Sequence, residues 1–163
     1  MCIRDSDSSV VKPLELQDHI LEQRVLPEDT NNQNILYVVV KDLAEQVAFK
    51  LRKRQQVAEK VKLEIHYTDG YHRTRTGRII KVDDRSVIDV CQKLFDKANE
   101  RRSRVRTILL DASDFNPDIN QGELFPIAEN RDMAVSKAVD KIRLKYGVRS
   151  LQNVDVFQVL GRI

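Results

Sequence analysis

Apolar and polar positions alternate most clearly from Val61 to Tyr67, where Val61, Leu63, Ile65 and Tyr67 interleave with Lys62, Glu64 and His66. A period of two predicts a strand with one buried face. Asp69 and Gly70 follow, residues that supply the positive φ of a tight hairpin, so a return strand is predicted from Tyr71 to about Ile80. Upstream, Ile20 to Leu26 alternates weakly and predicts a short first strand ending before Pro27. From Ile35 to Gln55 the apolar positions Leu36, Val39, Val40, Leu43, Val47 and Leu51 recur at three and four, the stripe of a helix capped by Asn32 or Asn34. Asp83 or Asp84 caps a second helix carrying Val87, Ile88, Cys91, Leu94, Phe95 and Ala98 on one face. Arg104 to Ala112 has the β-branched and aliphatic content of a last strand, closed by the loop DFNPDINQG. A tail helix follows, with Ala134, Val135, Ala138, Val139, Ile142 and Tyr146 as a stripe that must dock on something and Gly147 as its stop.

Strand, helix, strand, strand, helix, strand is the split βαβ order. It predicts an α+β fold: a four-stranded antiparallel sheet with both helices on one face and the other face open, plus a C-terminal helix. On the third strand Tyr71, Arg73, Arg75 and Gly77 share one face, and His72, Thr74, Thr76 and Arg78 the other. Both sets are polar, so the pattern leaves open which one faces outward. The domain organisation expected is a non-native or disordered start over residues 1–10, the sheet domain over 11–116, a linker over 117–130 and a helix and tail over 131–163.

The chain has 163 residues, 41% hydrophobic and 33% charged, enough to bury a core of its own. No run approaches the ~18 apolar residues of a membrane span. Cys2 and Cys91 lie far apart, Cys91 on a helix core face, which fits a reducing cytoplasm. The net charge of +3 conceals an asymmetry: Lys50 to Arg106 holds 17 basic and 8 acidic residues, net +9, against 11 and 17 in the remainder. Clustered basic charge concentrates polyanions around it.

No set of carboxylates converges as two-metal nucleotidyl transfer requires. Asp83 and Asp84 read as capping residues, and Asp111 and Asp114 as strand-end and turn residues. His66, His72 and Cys91 lack metal-ligand spacing, and no glycine-rich phosphate loop occurs. The chain itself is therefore expected to be no enzyme and to carry no cofactor. An RNA-recognition domain shares the element order, but the basic glycine-aromatic signature is absent and only Tyr71 could stack a base.

Four stretches resemble the little finger domain and C-terminal tail of Y-family, translesion DNA polymerases of the DNA polymerase IV kind. LPEDTNN (26–32) is similar to the family's passage from first strand to first helix, and LAEQVAFKLRKRQQ (43–56) to its basic-ended helix. VKLEIHYTDGYHRTRT (61–76) resembles its strand, turn and threonine-arginine strand. RVRTILLDASDF, then QGELF, then AVDKIRLKYG, follow in the order in which these polymerases end. The resemblance implies a sheet whose open face lies in the major groove of double-stranded primer-template DNA and grips phosphates during lesion bypass. Thr74 and Arg75 match the threonine-arginine motif, with Arg73 and Arg78 as neighbours and Arg104 and Arg106 on the adjacent last strand. Their guanidinium groups are expected to project together from the helix-free face. Gly77 stands where the family often has a second arginine, and Asp18, His19 and Glu22 stand where its first strand is basic.

QGELF (121–125) resembles the bacterial sliding-clamp peptide, with Gln121, Leu124 and Phe125 in the matching places; Leu124 and Phe125 could equally pack on the domain as a tether. The partners implied are DNA, a sliding clamp and the polymerase core missing from this chain, where Mg²⁺ would belong. The alternative is a ferredoxin-like interaction or RNA-binding module whose basic middle is merely solvated.

Overall fold

The computed structural model describes residues 19–117 and 130–161. The order is β1 (His19–Thr30), α1 (Gln33–Arg54), β2 (Gln56–Tyr67), β3 (His72–Gly77), α2 (Asp84–Ala98), β4 (Val105–Pro117), α3 (Asn130–Tyr146), a 3₁₀ turn (Val148–Ser150) and α4 (Val154–Leu160). All strand pairs are antiparallel in the order β1-β4-β2-β3, so β2 and β4 are central and β1 and β3 form the edges. Each helix thus links two parallel strands with an antiparallel one between them, the split arrangement that the element order predicts.

The predicted periodicities hold where burial enforces them. On β2 the residues Val61, Leu63, Ile65 and Tyr67 are buried, and they pack with Val105, Ile108, Leu110 and Ala112 of β4 beneath Leu36, Val39, Val40, Leu43, Val47 and Leu51 of α1. Helix α2 adds Val87, Cys91, Leu94, Phe95 and Ala98. Fully burying a side chain of this size contributes about 1.5–3 kcal/mol, so this double layer is the main source of stability. The Asn32 side chain accepts from the Asn34 amide at 3.1 Å, and Asp83 accepts from Ser86 at 2.9 Å; both are N-caps.

Element ends differ from expectation for identifiable reasons. Strand β1 continues through Pro27 to Thr30 because its register to β4 is irregular between Val25 and Thr30, where a residue without an amide hydrogen loses nothing. Strands β2 and β4 are longer than their sequence patterns because they extend each other: Gln56 pairs with Pro117 and Ala58 with Phe115. The hairpin has positive φ at Gly70 but not at Asp69, whose side chain instead accepts from the Tyr71 amide at 3.1 Å.

The apolar stripe of the tail helix is not what docks that helix on the rest of the described residues. Val135, Ile142 and Tyr146 of the apolar stripe are exposed, while Ser136 and Arg143 are buried. Ser136, Asp140 and Arg143 recur at four and three, so α3 docks on the helix layer through a polar face. Arg52 donates to both Asp140 oxygens at 2.5 and 2.8 Å and to the Val82 carbonyl at 2.6 Å. The Asp84 amide donates to Ser136 Oγ at 3.2 Å, and Arg143 pairs with Glu45 at 2.9 Å. These are charge-assisted bonds among partners already sheltered from water, and they outweigh the weak pull of scattered valine and alanine side chains.

Candidate nucleic-acid interface

Cross-strand register decides which side chains share the helix-free face. Arg73 pairs with Ile65, Arg75 with Leu63 and Gly77 with Val61, and all three β2 partners are buried under the helices. Arg73, Arg75 and Gly77 therefore lie on the helix side of the edge strand. The set His72, Thr74 and Thr76 stands on the helix-free face, opposite His66, Glu64 and Lys62.

The expectation that guanidinium groups of neighbouring strands share the helix-free face is thus corrected for Arg73 and Arg75. Both curl around the sheet edge toward the C-terminal end of α2. Arg73 donates to Glu100 Oε2 at 3.0 Å and to the Tyr71 hydroxyl at 3.2 Å; Arg75 donates to Glu100 Oε1 at 3.1 Å and to the Lys97 carbonyl at 3.1 Å. The physical reason is that β3 has no fifth strand beside it and α2 ends there, which leaves room and acceptors on the covered side.

The remaining candidates divide by position. Arg106 sits at the irregular start of β4, where Tyr67 pairs with Val105 and His66 with Thr107, and it holds Asp29 with two hydrogen bonds at 3.2 and 3.4 Å. The exposed Arg104 immediately precedes that strand. Strands β3 and β4 run the same way, so Arg73, Arg104 and Arg106 come to one end of the sheet, together with Arg101, whose guanidinium lies 4.4 Å over the Tyr71 ring. Arg78 leaves β3 at the opposite end and pairs with Glu59 at 3.3 Å. Gln121, Leu124 and Phe125 lie outside the described residues.

Sequence reasoning passed over the long-side-chain polar residues that do occupy the helix-free face: Lys60, Lys62, His66 and His72. The signal was present in the alternation that located β2. Lys62 lies 2.9 Å from Glu64 Oε2, and His66 Nε2 lies 2.7 Å from Glu64 Oε1. The hydrogen bond from Lys62, and after it that from His66, hold the Glu64 carboxyl below its usual range. Beside β1 the same face is apolar, with Leu21 and Val25 exposed. Among the described residues no Phe, Tyr or Trp stands on the helix-free register of β1 or β3, so the base-stacking platform of an RNA-recognition domain is not built.

Such a sheet, covered on one side and bare on the other with basic residues around one end, defines the class: a small α+β domain of the split βαβ order with one sheet face uncovered. Residues 18–124 match the impB/mucB/samB family C-terminal domain. The chain belongs to that family, as the C-terminal, little finger region of Y-family DNA polymerases. Among curated relatives it is 29% identical over 147 residues to a DNA polymerase IV of Dehalococcoides mccartyi (strain CBDB1), covering 86% of this chain and 37% of that protein. It is 24% identical over 136 residues to the Putative UV-damage repair protein UvrX of Bacillus subtilis (strain 168), covering 80% and 32%. The chain thus spans about a third of the length of these relatives. Among solved structures, a complex of beta-clamp processivity factor with the little finger domain of PolIV is similar at TM-score 0.47 and 18% identity, over 67% of this chain and 99% of that one. An insertion ternary complex of Dbh DNA polymerase is similar at 0.49 and 13%, over 62% and 29%.

Proposed function

We infer that this domain holds double-stranded primer-template DNA for a translesion polymerase of the cytoplasm, of which it is a C-terminal part, and that it performs no nucleotidyl transfer itself. The observation that carries the reading is the match over residues 18–124, which takes in every strand of a sheet with one face left bare. The helix-free face, with Thr74, Lys60 and Lys62, lies toward the duplex, and the rim of Arg73, Arg75, Arg104 and Arg106 reaches phosphates at its border. Contacts of this kind position a duplex without reading its sequence, which suits an enzyme that must tolerate distorted templates. The catalytic carboxylates and their Mg²⁺ belong to the polymerase core.

The test is a titration of labelled primer-template DNA at two salt concentrations. Each phosphate neutralised contributes a slope of about −0.9 in log K against log salt, so affinity should fall steeply from low to moderate salt and Arg75→Ala should weaken it. Binding that is absent at low salt, or indifferent to both salt and the substitution, would refute the reading. A second role rests on QGELF alone: Gln121, Leu124 and Phe125 dock in the apolar pocket of a sliding clamp. Leu124→Ala with Phe125→Ala should abolish capture by a bacterial clamp, and unaltered capture would exclude that role.

A further inference from the structure

The chain has three histidines, and all of them fall on the helix-free register: His19 opposite Ser113, His66 opposite Thr107, and His72 opposite His66. The side chains of permanent charge in the regular part of the same register are Lys60, Lys62, Glu64 and Asp111, two of each sign, and at its two ends Arg78 is paired with Glu59 and Arg106 with Asp29. While the imidazoles are neutral, the face therefore carries no net charge, although the segment that builds much of it is strongly basic. The arginines that make the segment basic are at the rim, Arg73 and Arg75 sharing the carboxylate of Glu100 and Arg106 held by Asp29. A polyanion laid on this face meets positive charge at its rim but none in net across the strands unless the histidines charge.

His66 and His72 are placed to do so. They are a directly opposed cross-strand pair, stacked with ring centroids 5.6 Å apart and planes at 23°. His72 is on the edge strand with no further strand beside it. The groups facing the pair are few. From β2, Glu64 bonds His66 and is itself held by Lys62; Asp111 of β4 stands further along, opposite Lys62; Thr107 of β4 and Thr74 of β3 are neutral. Arg106 is engaged by Asp29, and Arg73 turns to the other side of the sheet. Imidazole is the side chain whose ordinary titration, near pH 6.5, spans the physiological range. Two stacked rings repel when both are charged, and the carboxylate beside them, Glu64, bonds His66 alone and also holds Lys62. An anion bridging the two rings removes that repulsion, so charging of the pair and binding of an anion favour each other.

We propose that His66 and His72 form a phosphate-contact site, in which the imidazoles take up protons from solvent as a phosphodiester of the nucleic-acid backbone settles against them. The phosphodiester stays intact and anionic; the change is imidazole to imidazolium. The site rests on the reading that the helix-free face meets nucleic acid, and it makes that grip tighten as pH falls.

The experiment is fluorescence anisotropy of the full chain with labelled primer-template DNA at fixed low salt between pH 8 and pH 6. Wild-type affinity should rise about tenfold or more across this range, whereas His66→Gln/His72→Gln should rise by less than about threefold, the remainder coming from His19. His72→Gln alone, at the exposed edge, should lose about half of the effect on a logarithmic scale, and it keeps the test usable if the double variant does not fold. Salt-dependent binding with parallel pH curves for variants and wild type would overturn the histidine site while leaving the proposed function standing. No binding at any pH would overturn both.

Discussion

The tail helix gives the sharpest test of how this chain is held together. Arg143 is 6% exposed and its partner Glu45 is 9% exposed at the side chain. The guanidinium donates to Glu45 at 2.9 Å, donates twice to the Leu151 carbonyl at 3.2 and 3.3 Å, and lies 3.9 Å from Asp84. Arg143→Met keeps most of the aliphatic volume and removes the charge. Glu45 would keep Asn153 as its hydrogen-bond donor but lose its only ion-pair partner among the described residues. Stranding one member of a buried pair costs about 3–5 kcal/mol, against a typical domain stability of about 5–15 kcal/mol. The cost has a ceiling, because α3 can detach before the sheet unfolds, and the loss then equals the free energy of docking the tail. Urea unfolding followed by far-UV circular dichroism measures the global part, and hydrogen exchange of the α3 amides measures the local part. Adding Glu45→Gln should return at least about 1 kcal/mol, because the stranded charge is then gone. Arg143→Met within about 0.5 kcal/mol of wild type, with α3 amides still protected, would refute polar docking of the tail.

Three further outcomes follow from named contacts. Glu100→Gln releases Arg73 and Arg75 together; since exposed pairs are worth about 0–1 kcal/mol each, primer-template affinity at low salt should rise about two- to fivefold, and an unchanged or weaker affinity in the titration would contradict the rim arrangement. Burial pushes the Cys91 thiol up to about 12, so it should stay unreactive toward a thiol reagent at pH 8 until the domain unfolds, and stoichiometric labelling of the native protein would show the packing to be wrong. A Cβ on Gly77 would lie 3.1 and 3.2 Å from the Leu94 methyls; Leu94 can yield to Gly77→Ala, but Gly77→Val should cost about 1–3 kcal/mol in the same urea assay, and a neutral effect would mean that β3 does not press on α2.

Where burial imposes a period, the sequence could be read. Val61 to Tyr67 and Leu36 to Leu51 gave their elements because every second or every third and fourth residue meets the core, and Asn32 and Asp83 are caps by local chemistry alone. Strand β3 could not be oriented, because it is an edge strand with polar residues on both sides and its own sequence carries no burial signal. Its register exists only in the pairing with Leu63 and Ile65. The extension of β4 to Pro117 was hidden for a related reason, since its partner Gln56 is far away in sequence. The polar docking face of α3 was the least legible: Asp140 and Arg143 look like solvated charges until Arg52 and Glu45, 88 and 98 residues earlier in the chain, are brought against them.

The arginine placements bear on how a grip of this kind operates. Arg73 and Arg75 on Glu100, Arg78 on Glu59 and Arg106 on Asp29 all have carboxylate partners at hydrogen-bonding distance, and all these pairs are partly or largely exposed. A free guanidinium binding a phosphate must give up side-chain entropy of as much as ~2 kcal/mol. A guanidinium already held by a carboxylate has lost much of that freedom, and exchanging one weak exposed partner for another costs little. Arg73 and Arg75 share the one carboxylate of Glu100 and so keep a net charge of +1 between them, whereas the Arg78 and Arg106 pairs are neutral, so at long range the rim attracts a polyanion less than its number of arginines implies. Further attraction can come from charge that appears on approach, and the histidines of the bare sheet face are groups able to supply it. On this argument the rim contributes an affinity that does not change with pH, the histidines add one that does, and the two can be separated by mutating Glu100 on one side and His72 on the other.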